Sequence, residues 1–433
     1  MAPLNILIIG CSIAGPTLAA FLLLAPLPAS EKPRITILER SSALRTAGQN
    51  IDIRGAGVTI IRKLGLEALV RASTTGEEGV QFVDAENRVW GAFAAGKGGQ
   101  SRTPTSEIEI MRGTLADICF KRSKSVSDEV QGDGGAGVEY VFGDSLEGVE
   151  QDGDQVHVRF AKSGERRSYD LVVGADGLQS QTRNMVWGVE GEKDRLKKLG
   201  MYAAFFSMSR AKTDSLWRRW FHAPGRRGIM LRPDQQRGRT TALVSVVNEK
   251  DTRLVEVATR GHAKEQKKLM EEYFRGVGWE SERVLDEMTA TKDFYYDMVA
   301  QIKMDRWSKG RVVLLGDAGY CASPISGMGT TLALVGAYNL AGALTRHPDD
   351  YTQAFAEYEK HTRPAVDRAQ KLVPGMSHIL HPETAWGVWT LNAIMSFLTW
   401  TRIATLLFMF IGPPADTVSV EEYGFKQLPV LQA

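Results

Sequence analysis

The stretch Asn5-Ile-Leu-Ile-Ile-Gly10-Cys-Ser-Ile-Ala-Gly15 decides the fold of this chain. Its first five residues carry no charge and end at a glycine, which is typical of a buried parallel strand. We predict a helix over Ile13–Leu24 and a second strand over Arg34–Leu38, so the stretch opens a β-α-β unit. In such a unit Gly10 forms the turn, Gly15 lets the helix pack closely on the sheet, and N–H groups at the helix start face a phosphate. The sequence therefore predicts a dinucleotide-binding domain.

One position departs from the usual Gly-x-Gly-x-x-Gly fingerprint. Ser12 stands where the second glycine is expected, and its Cβ and hydroxyl require a slightly wider fit to the phosphate. Together with Ile13 and Ala14, it belongs to the candidate cofactor-binding turn. The tract Gly132–Gly137 satisfies the fingerprint fully, but it follows an acidic stretch and precedes a predicted strand. We therefore interpret it as part of a flexible loop over Ser123–Gly137.

Glu39 ends the second predicted strand, in Ile-Leu-Glu39-Arg40. A carboxylate at this position can accept hydrogen bonds from the 2′- and 3′-hydroxyls of an adenosine ribose, and it repels a 2′-phosphate. FAD or NAD therefore fits this pocket, whereas NADP does not. A solvated glutamate at the end of a strand is the alternative interpretation.

Two further motifs of glycine and aspartate follow predicted buried strands. Gly-Ala-Asp-Gly at 174–177 follows a strand predicted over Asp170–Val173, and Gly-Asp-Ala-Gly at 316–319 follows one over Arg311–Leu315. Asp317, at a strand end, can hold the hydroxyl chain of a polyol. Each aspartate can alternatively cap a helix at an ordinary turn, but three such motifs in this order favour a nucleotide cofactor.

The third motif continues into the start of a glycine-rich helix. After Pro324, the residues Gly327-Met328-Gly329 precede a helix predicted over Thr330–Leu344. The N–H groups and the positive end of this helix can face a ring system that gains negative charge on reduction.

Composition limits the class of protein. The chain has 433 residues, of which 43% are hydrophobic and 24% charged, with a net charge of +2. These values exclude a disordered or fibrous chain and argue against a nucleic-acid binder. The three cysteines, Cys11, Cys119 and Cys321, are too scattered for a disulfide framework or a zinc site and fit a reducing compartment. With no basic residues ahead of the first apolar run, we predict a cytoplasmic protein and no metal.

The order of the strand signals predicts the fold class. We predict an α/β (α+β) chain in which a Rossmann-like FAD-binding domain is built from discontinuous segments and a mixed or antiparallel substrate sheet is inserted between them. Antiparallel strands are predicted over Met201–Ser209 and Thr240–Val247, and a helix over Glu265–Arg275. The predicted FAD-binding segments are 1–75, 106–190 and 296–370, the substrate segments are 76–105 and 191–295, and a C-terminal helical segment covers 371–433.

The C-terminal segment contains an uncharged stretch over Thr384–Thr401, which continues beyond Arg402 to Ala415. Its polar residues and Gly412-Pro-Pro favour helices that pack on the body of the protein and close the substrate side. Peripheral membrane contact through residues 384–411 is the alternative, and a true membrane span is a weaker one.

The three motifs together resemble those of the class A flavoprotein monooxygenases, which share the para-hydroxybenzoate hydroxylase fold. The resemblance covers residues 4–370 and is greatest to the tetracycline-inactivating branch. It implies non-covalent FAD, with NADPH or NADH as a transient co-substrate. It also implies that a flavin C4a-hydroperoxide inserts one oxygen atom from O2 into an aromatic or polycyclic small molecule, by hydroxylation or epoxidation. It further implies a role in natural-product biosynthesis or antibiotic inactivation. The protein would be a monomer or a weak homodimer.

The resemblance also assigns roles to individual residues. Glu39 and Arg40 would hold the adenosine part of FAD, Asp52 and Arg112 would contact the flavin and its chain, and Asp317 would bind the ribityl hydroxyls. Asp176 would support the pyrophosphate region and nicotinamide docking, and Arg45 would meet the nicotinamide cofactor. The remaining candidate cofactor-binding residues are Gly10, Ser12, Ile13, Ala14, Gly15, Gly316, Pro324, Gly327, Met328 and Gly329.

Candidate substrate residues come from the predicted middle sheet. They are Tyr202, Phe206, Trp220, His222 and Met230. His222 and Tyr202 are the candidate catalytic residues, because a histidine can deprotonate a phenol or indole at neutral pH. A packed or surface histidine is the alternative for His222, and we interpret His378 and His381 as a helix pair that binds no metal.

Other functions remain open on the same scaffold. A flavin oxidase or rearrangement catalyst is one alternative, and a flavin-binding protein without turnover is another. A flavin halogenase would be expected to carry a Trp-x-Trp-x-Ile-Pro signature, which the sequence lacks.

Overall fold

The structure, a computed structural model, describes residues 3–45, 48–95, 108–401, 403 and 420–431. The strands are, in chain order, β1 (Asn5–Ile9), β2 (Arg34–Glu39), β3 (Asn50–Asp52), β4 (Gly79–Val83), β5 (Val89–Ala94), β6 (Glu109–Met111), β7 (Val138–Phe142), β8 (Leu146–Gln151), β9 (Val156–Phe160), β10 (Arg166–Tyr169), β11 (Leu171–Gly174), β12 (Leu196–Ser209), β13 (Trp217–Ala223), β14 (Arg227–Asp234), β15 (Arg239–Val247), β16 (Tyr295–Ile302), β17 (Ser308–Lys309) and β18 (Val312–Leu314). The α-helices are α1 (Ala14–Leu23), α2 (Ala56–Lys63), α3 (Glu67–Ala72), α4 (Arg112–Gly132), α5 (Gln181–Trp187), α6 (Glu192–Arg195), α7 (Thr252–Thr259), α8 (Ala263–Phe274), α9 (Ser281–Ala290), α10 (Asp317–Tyr320), α11 (Gly329–Arg346), α12 (Tyr351–Ala369), α13 (Met376–Leu380) and α14 (Ala385–Thr401).

A six-stranded sheet forms the nucleotide-binding part, in the order β17-β18-β11-β1-β2-β7. All its pairs are parallel except β17–β18. Helices α1, α4, α11 and α12 cover one face of this sheet, and the three-stranded sheet β8–β10 covers the other. Burial on both faces explains the unbroken apolar runs of its central strands. The predicted α/β (α+β) architecture and its Rossmann-like part are confirmed.

A seven-stranded sheet, in the order β16-β12-β15-β14-β13-β4-β5, forms the second part. It is antiparallel except for the parallel pair β4–β13. One face carries Tyr202, Phe206 and Val244, and helices α7–α9 pack on it and bury these side chains. We call the opposite face, which carries Trp220 and His222, the open face.

The structure corrects three boundaries. Ser123–Gly132 is the last part of α4 rather than a loop, because Val126 and Val130 continue a buried helical stripe. Strand β16 crosses the expected boundary at 295/296, so the substrate sheet extends to Ile302. Residues 420–431 form no helix, although they belong to the segment predicted as helical.

That C-terminal tail packs on the nucleotide-binding part. The Tyr423 ring fits against Gly342 of α11, where an added Cβ would lie 2.3 Å from the ring. Lys426 N donates to the Leu24 carbonyl at 2.9 Å. The tail therefore anchors the chain end to the helix layer.

Helix α14 packs on the edge of the seven-stranded sheet. Met395 and Leu398 contact the cluster of Val80, Phe82 and Phe93. Its outer face is exposed in the described part of the chain and carries Trp386, Trp389, Ile394, Phe397 and Trp400. The expectation that the protein's own body covers this segment therefore holds for the inner face only. No helix among the described residues is long and apolar enough to cross a membrane, and residues 402 and 404–411 of the candidate contact segment lie outside the described part.

Candidate functional site

The β1–α1 turn has the geometry that its glycines predict. Gly10 has a φ of +116°, and a Cβ there would lie 2.4 Å from the Ala175 carbonyl oxygen. A Cβ on Gly15 would lie 2.1 Å from the Gly10 carbonyl oxygen. Neither distance is tolerable, so glycine is required at both positions. The turn thereby brings the motif at 174–177 against the start of α1.

The N-terminus of α1 has no side-chain cap. Its first N–H groups therefore keep their capacity to donate to an anion, and Ser12 lies beside them in the cleft lining. Glu39 fixes the turn, because its carboxylate accepts from the N–H groups of Cys11 and Ser41, each at 3.0 Å. Both oxygens retain a further lone pair for a ribose hydroxyl.

A cleft opens in front of this turn. Its empty volume is about 970 Å³, including space open to solvent. Arg40, Arg45 and Arg112 line it together with Glu39. Burial and the like charges of Arg40 and Arg112 lower the pKa of Arg45, with Glu39 acting in the opposite direction. The cleft therefore has the positive charge needed to bind a pyrophosphate.

Asp176 shapes the neighbouring loop rather than facing the cleft freely. Its carboxylate accepts from Ser180 Oγ at 2.5 Å and from Thr182 N and Oγ1 at 3.0 and 2.9 Å. Arg183, which is fully buried, then joins this loop to the third motif by donating to the Ala318 carbonyl at 2.7 Å. The second and third motifs are thus held together by one side chain.

Asp317 lies at the other end of the site. Its side chain is accessible to solvent. The surrounding protein nevertheless displaces part of the water around the carboxylate and raises its pKa, whereas the charge of Arg112 acts to lower that pKa. A Cβ on Gly316 would lie 3.8 Å from Ala14 Cβ, and one on Gly329 would lie 3.8 Å from Asp317 Oδ1. These distances place the starts of α1 and α11 on either side of Asp317.

The loop before α11 is constrained. Ser323, a non-glycine residue, has a φ of +75°, and a short 3-10 helix follows over Pro324–Ser326. Gly327 is left-handed, and α11 begins after Met328 without a side-chain cap. A second uncapped helix start therefore faces the region of Asp317.

Asp52 and Arg54 lie beside the same helix start. Arg54 donates to Asp52 Oδ2 at 2.9 Å, and its backbone N–H donates to Thr331 Oγ1 of α11 at 3.1 Å. Asp52 Oδ1 is buried and has no hydrogen-bond partner among the described residues. This oxygen could accept a hydrogen bond from a bound ring system.

The open face of the seven-stranded sheet carries three rows of side chains. The middle row crosses six strands and is apolar apart from the phenol, with Tyr295, Phe205, Leu243, Met230, Trp220 and Phe82 as successive neighbours. On one side lies a mixed row of Asp297, Ala203, Ser245, Gly228 and His222, and on the other a polar row of Ser207, Thr241, Arg232 and Arg218. Phe205, Leu243 and Trp220 are only half-buried, whereas the opposite face is closed. The middle row is therefore an accessible apolar floor.

Gln179 connects this floor to the cleft. It lines the cleft, and its Nε2 donates to Asp297 Oδ1 at 3.0 Å. Asp297 Oδ2 accepts from the Tyr295 hydroxyl at 2.6 Å. Burial raises the pKa of Asp297. A cofactor in the cleft and a substrate on the open face would therefore be neighbours.

The two candidate catalytic residues lie on opposite faces. His222 lies on the open face, is 2% exposed, and has no hydrogen-bond partner of acceptable geometry among the described residues. Tyr202 pairs with Val246 and lies under helices α7–α9, as does Phe206. The structure therefore does not bring Tyr202 and His222 together, because the pleat of β12 turns Tyr202 away.

His381 was predicted only as half of a helix pair, yet it lies against His222, with ring centroids 5.9 Å apart. Its Nδ1 donates to the Ser377 carbonyl at 3.1 Å, so Nε2 accepts from Ser245 Oγ at 2.8 Å. Its ring is neutral, because burial lowers its pKa to about 4.

The other residues that the sequence analysis missed are Arg54, Arg183, Tyr295 and Asp297. Arg183 lies six residues after the motif at 174–177 and Arg54 lies two residues after Asp52, and this proximity to candidate residues was a usable signal. Tyr295 and Asp297 lie two residues apart on a strand that had not been predicted.

These residues fit FAD. Two uncapped helix starts, the cradle around Gly10, the arginines of the cleft and the unpartnered Asp52 oxygen supply donors and acceptors along an extended path. Glu39 lies at one end of that path and Asp317 at the other.

Comparisons with known proteins agree with this assignment. The FAD binding domain family matches residues 4–371. The FAD-dependent monooxygenase asL6 of Sarocladium schorii is 36% identical, over 97% of this chain and 98% of its own. Monooxygenase CTB7 of Cercospora beticola is 32% identical over 91% of this chain and 93% of its own.

Solved structures of the same fold include two tetracycline destructases. Tet(51) is 28% identical with a TM-score of 0.76, covering 97% of this chain and 100% of its own. Tet(55) is 30% identical with a TM-score of 0.74, covering 98% and 99%. The family match spans the three motifs, both sheets and the site between them. The chain therefore belongs to the FAD binding domain family, as a flavoprotein monooxygenase whose cofactor is FAD.

Proposed function

We propose that the protein consumes NADPH or NADH and O2 to insert one oxygen atom into a neutral aromatic or polycyclic small molecule. The overall reaction converts substrate, O2, NAD(P)H and a proton into oxygenated substrate, water and NAD(P)⁺. The observation that carries this proposal is the link between cleft and floor, where Gln179 lines the cleft and binds Asp297 of the open face. The tetracycline destructases of the same fold support a polycyclic substrate.

When bound, FAD supplies the acceptor for a hydride and the group that activates O2. The protein itself positions the FAD and the substrate and shields them from water. Asp317 and Arg112 would hold the flavin chain, and the start of α11 would face the ring that becomes negative on reduction.

The apolar floor would hold the substrate rings and exclude water. Phe205, Leu243 and Trp220 offer half-buried apolar surface in one row, so a flat polycyclic molecule can bury its ring faces there. Exclusion of water matters because activated oxygen otherwise decays to hydrogen peroxide. Helix α14 closes one edge of this row through Met395 and Leu398.

His222 would act on a hydroxyl of the substrate. Its ring is buried, and burial together with His381 lowers its pKa well below the ordinary value, so it is neutral and can accept a hydrogen bond. Tyr202 has no role in this proposal, because it lies under helices α7–α9.

The test is turnover by the FAD-loaded enzyme with a panel of neutral polycyclic phenols that includes tetracycline. Substrate-stimulated NAD(P)H oxidation, with a product that gains one oxygen atom from labelled O2, is expected. Stimulated oxidation that yields only hydrogen peroxide with every compound would instead indicate an oxidase. No stimulation by any compound would indicate a flavin-binding protein without turnover.

A further inference from the structure

Four rings cluster at the end of the open face: Phe82, Trp220, His222 and His381. We call this cluster the ring box. The Trp220 and His222 ring centroids lie 4.8 Å apart, and Phe82 is stacked with His222 at 5.9 Å and with Trp220 at 5.6 Å. His381 closes the box edge-on to His222.

Two members of the ring box have buried polar atoms with no partner among the described residues. They are Nε1 of Trp220 and the ring nitrogens of His222. Buried polar groups in proteins are nearly always hydrogen-bonded, because an unmade bond costs about 1–3 kcal/mol. His222 is 2% exposed, so solvent does not satisfy it. A ligand is the natural partner for both side chains.

Their hydrogen-bonding capacities define that ligand. The indole N–H of Trp220 can only donate. His222 is neutral because burial lowers its pKa, so one of its ring nitrogens donates and the other accepts. The ring box thus offers one donor and one acceptor on neighbouring side chains.

The charges around the ring box narrow the class of ligand further. His222 and His381 are both neutral, since burial lowers the pKa of each. Arg226, the cation that contacts the backbone of His381, is paired with Glu383 at 2.9 Å. A carboxylate placed in the ring box would be desolvated without a counter-ion, and this is costly.

The approach to the ring box lies on the side of Trp220. Trp220 is half-buried and continues the apolar floor, in which Met230 and Leu243 are its successive neighbours. Opposite His222 stands Gly228, and His381 fills the space above it, with Nε2 3.0 Å from where a Cβ of residue 228 would lie. A molecule lying on the floor therefore reaches the ring box from the Trp220 side.

We propose that the ring box is a recognition subsite for a neutral aromatic ketone with an adjacent hydroxyl, in which Trp220 donates to the ketone oxygen and His222 accepts from the hydroxyl. This inference rests on the proposed function, and it selects hydroxyaryl ketones over aromatic acids as the substrate class. The flat walls of Phe82 and Trp220 match the ring, and the polar pair fixes its orientation.

The test measures binding to the oxidised, FAD-loaded enzyme without NAD(P)H, by calorimetry and by the change in flavin absorbance. The probes are 2-acetyl-1-naphthol, its analogue 2-acetylnaphthalene, which lacks the hydroxyl, and 1-hydroxy-2-naphthoate, which carries a carboxylate. We expect 2-acetyl-1-naphthol to bind most tightly. Its affinity should fall about tenfold in His222→Phe and in Trp220→Phe, since each variant removes one buried hydrogen bond and keeps a ring.

Matched controls replace the same residue types elsewhere. His157→Phe lies on the three-stranded sheet and Trp400→Phe on the outer face of α14, and neither should change the affinity. Binding of 2-acetylnaphthalene should be unaffected by His222→Phe. FAD content and melting temperature are recorded for every variant.

The proposal is overturned if 2-acetyl-1-naphthol does not bind the wild type, if it binds His222→Phe equally well, or if the carboxylate probe binds more tightly. If His222→Phe does not fold, the two ketone probes are compared on the wild type and on Trp220→Phe. Equal affinities of the wild type for 2-acetyl-1-naphthol and 2-acetylnaphthalene overturn the proposal. Binding needs no turnover, so this result is separate from any failure to oxygenate.

Discussion

Arg232 of β14 and Glu109 of β6 form an ion pair inside the protein, where the substrate sheet meets the small sheet β3–β6. Arg232 Nε also donates to Glu77 Oε2 at 2.9 Å, and Arg218 reaches Glu77 at 2.6 Å and Glu109 at 3.2 Å. Asn50 and Thr75 donate to Glu109 at 2.7 and 2.9 Å. Two glutamates thus share two arginines across the junction of the two parts.

The two glutamates respond to pH in opposite directions. Burial, with Glu77 and Asp52, raises the pKa of Glu109 from 4.5 to about 7 against the pull of Arg232. Burial also acts to raise the pKa of Glu77, but Arg218 and Arg232 outweigh it and lower that pKa to about 2. Of the two carboxyls, Glu109 is therefore the one whose pKa lies nearer to neutral pH.

Glu109→Gln should remove a pH dependence of stability. The folded protein holds a proton on Glu109 that the unfolded chain releases, so this stabilisation is complete below about pH 4.5 and is lost as the pH rises through about 7. The melting temperature of the wild type should therefore fall relative to Glu109→Gln between about pH 4.5 and 7, on the order of a few degrees. Parallel curves for the two proteins would contradict the raised pKa.

Glu77→Gln is the matched comparison for that experiment. The negative charge of Glu77 is needed at neutral pH, because Arg218 and Arg232 would otherwise share only the partly protonated carboxyl of Glu109. We expect a loss of about 3–5 kcal/mol in unfolding free energy, larger than for Glu109→Gln at pH 7.

Gly10→Ala should abolish FAD binding. The new Cβ would meet the Ala175 carbonyl oxygen at 2.4 Å and would strain a φ of +116°. Gly134→Ala is the control, because Gly134 also has a positive φ but no atom within 4 Å of an added Cβ. Flavin absorbance after purification measures the outcome. Retention of FAD by Gly10→Ala would mean that the turn adjusts without loss of the site.

Asp317→Ala should weaken FAD binding by about tenfold to a hundredfold, the worth of a charged hydrogen bond. The purified wild type should be yellow, with one non-covalent FAD per chain. His222→Phe serves as the control, since it lies on the open face beyond the cleft and should keep its FAD. Equal FAD affinity in Asp317→Ala and the wild type would remove Asp317 from the site.

Arg112→Lys should lower FAD affinity while the fold survives. The Arg112 guanidinium reaches Ser12 Oγ at 3.4 Å and also acts on the pKa of Asp317, so it extends between the two ends of the cleft. Lysine keeps the charge but has no planar fork of donors. FAD titration of the apoprotein checks this, and unchanged affinity would show that charge alone suffices.

The sequence was informative where local chemistry determines structure. Gly10, Gly15 and Asp317 were recognised because a strand followed by a glycine turn has few alternatives, and β1, α1 and β2 were predicted to within one residue at each end. The helical residues 123–132 were missed because the adjacent glycine tract dominated the interpretation, although Val126 and Val130 have helical spacing.

The substrate side was less predictable because it depends on pairing between distant strands. Tyr202 and Trp220 look alike as aromatic residues of a predicted sheet, but only the register of β12 and β13 decides which face each occupies. The partners of Glu109 and of His222 come from segments more than a hundred residues away in several cases. Such contacts leave no local signal.

Helix α14 provides the last prediction, because its two faces have different surroundings. Leu391 is 7% exposed, on the inner side, whereas Trp389 is 55% exposed, on the outer side. Truncation after Gly375 would be a poor test, since it also removes Tyr423 and the tail that packs on α11. A charged residue placed on one face at a time separates the role of the inner face, which packs on the sheet, from that of the outer face.

Leu391→Asp should lift α14 from β4 and β5, because a buried carboxylate without a partner is costly. Water would then reach the apolar floor, so the melting temperature should fall and hydrogen peroxide should rise per NAD(P)H consumed. Trp389→Asp should leave both quantities unchanged and should reduce any sedimentation with lipid vesicles that the wild type shows. Leu391→Asp could instead form no more hydrogen peroxide per NAD(P)H than the wild type does. That result would show that α14 does not shield the substrate side, and water would then have to be excluded from the cofactor side of the site alone.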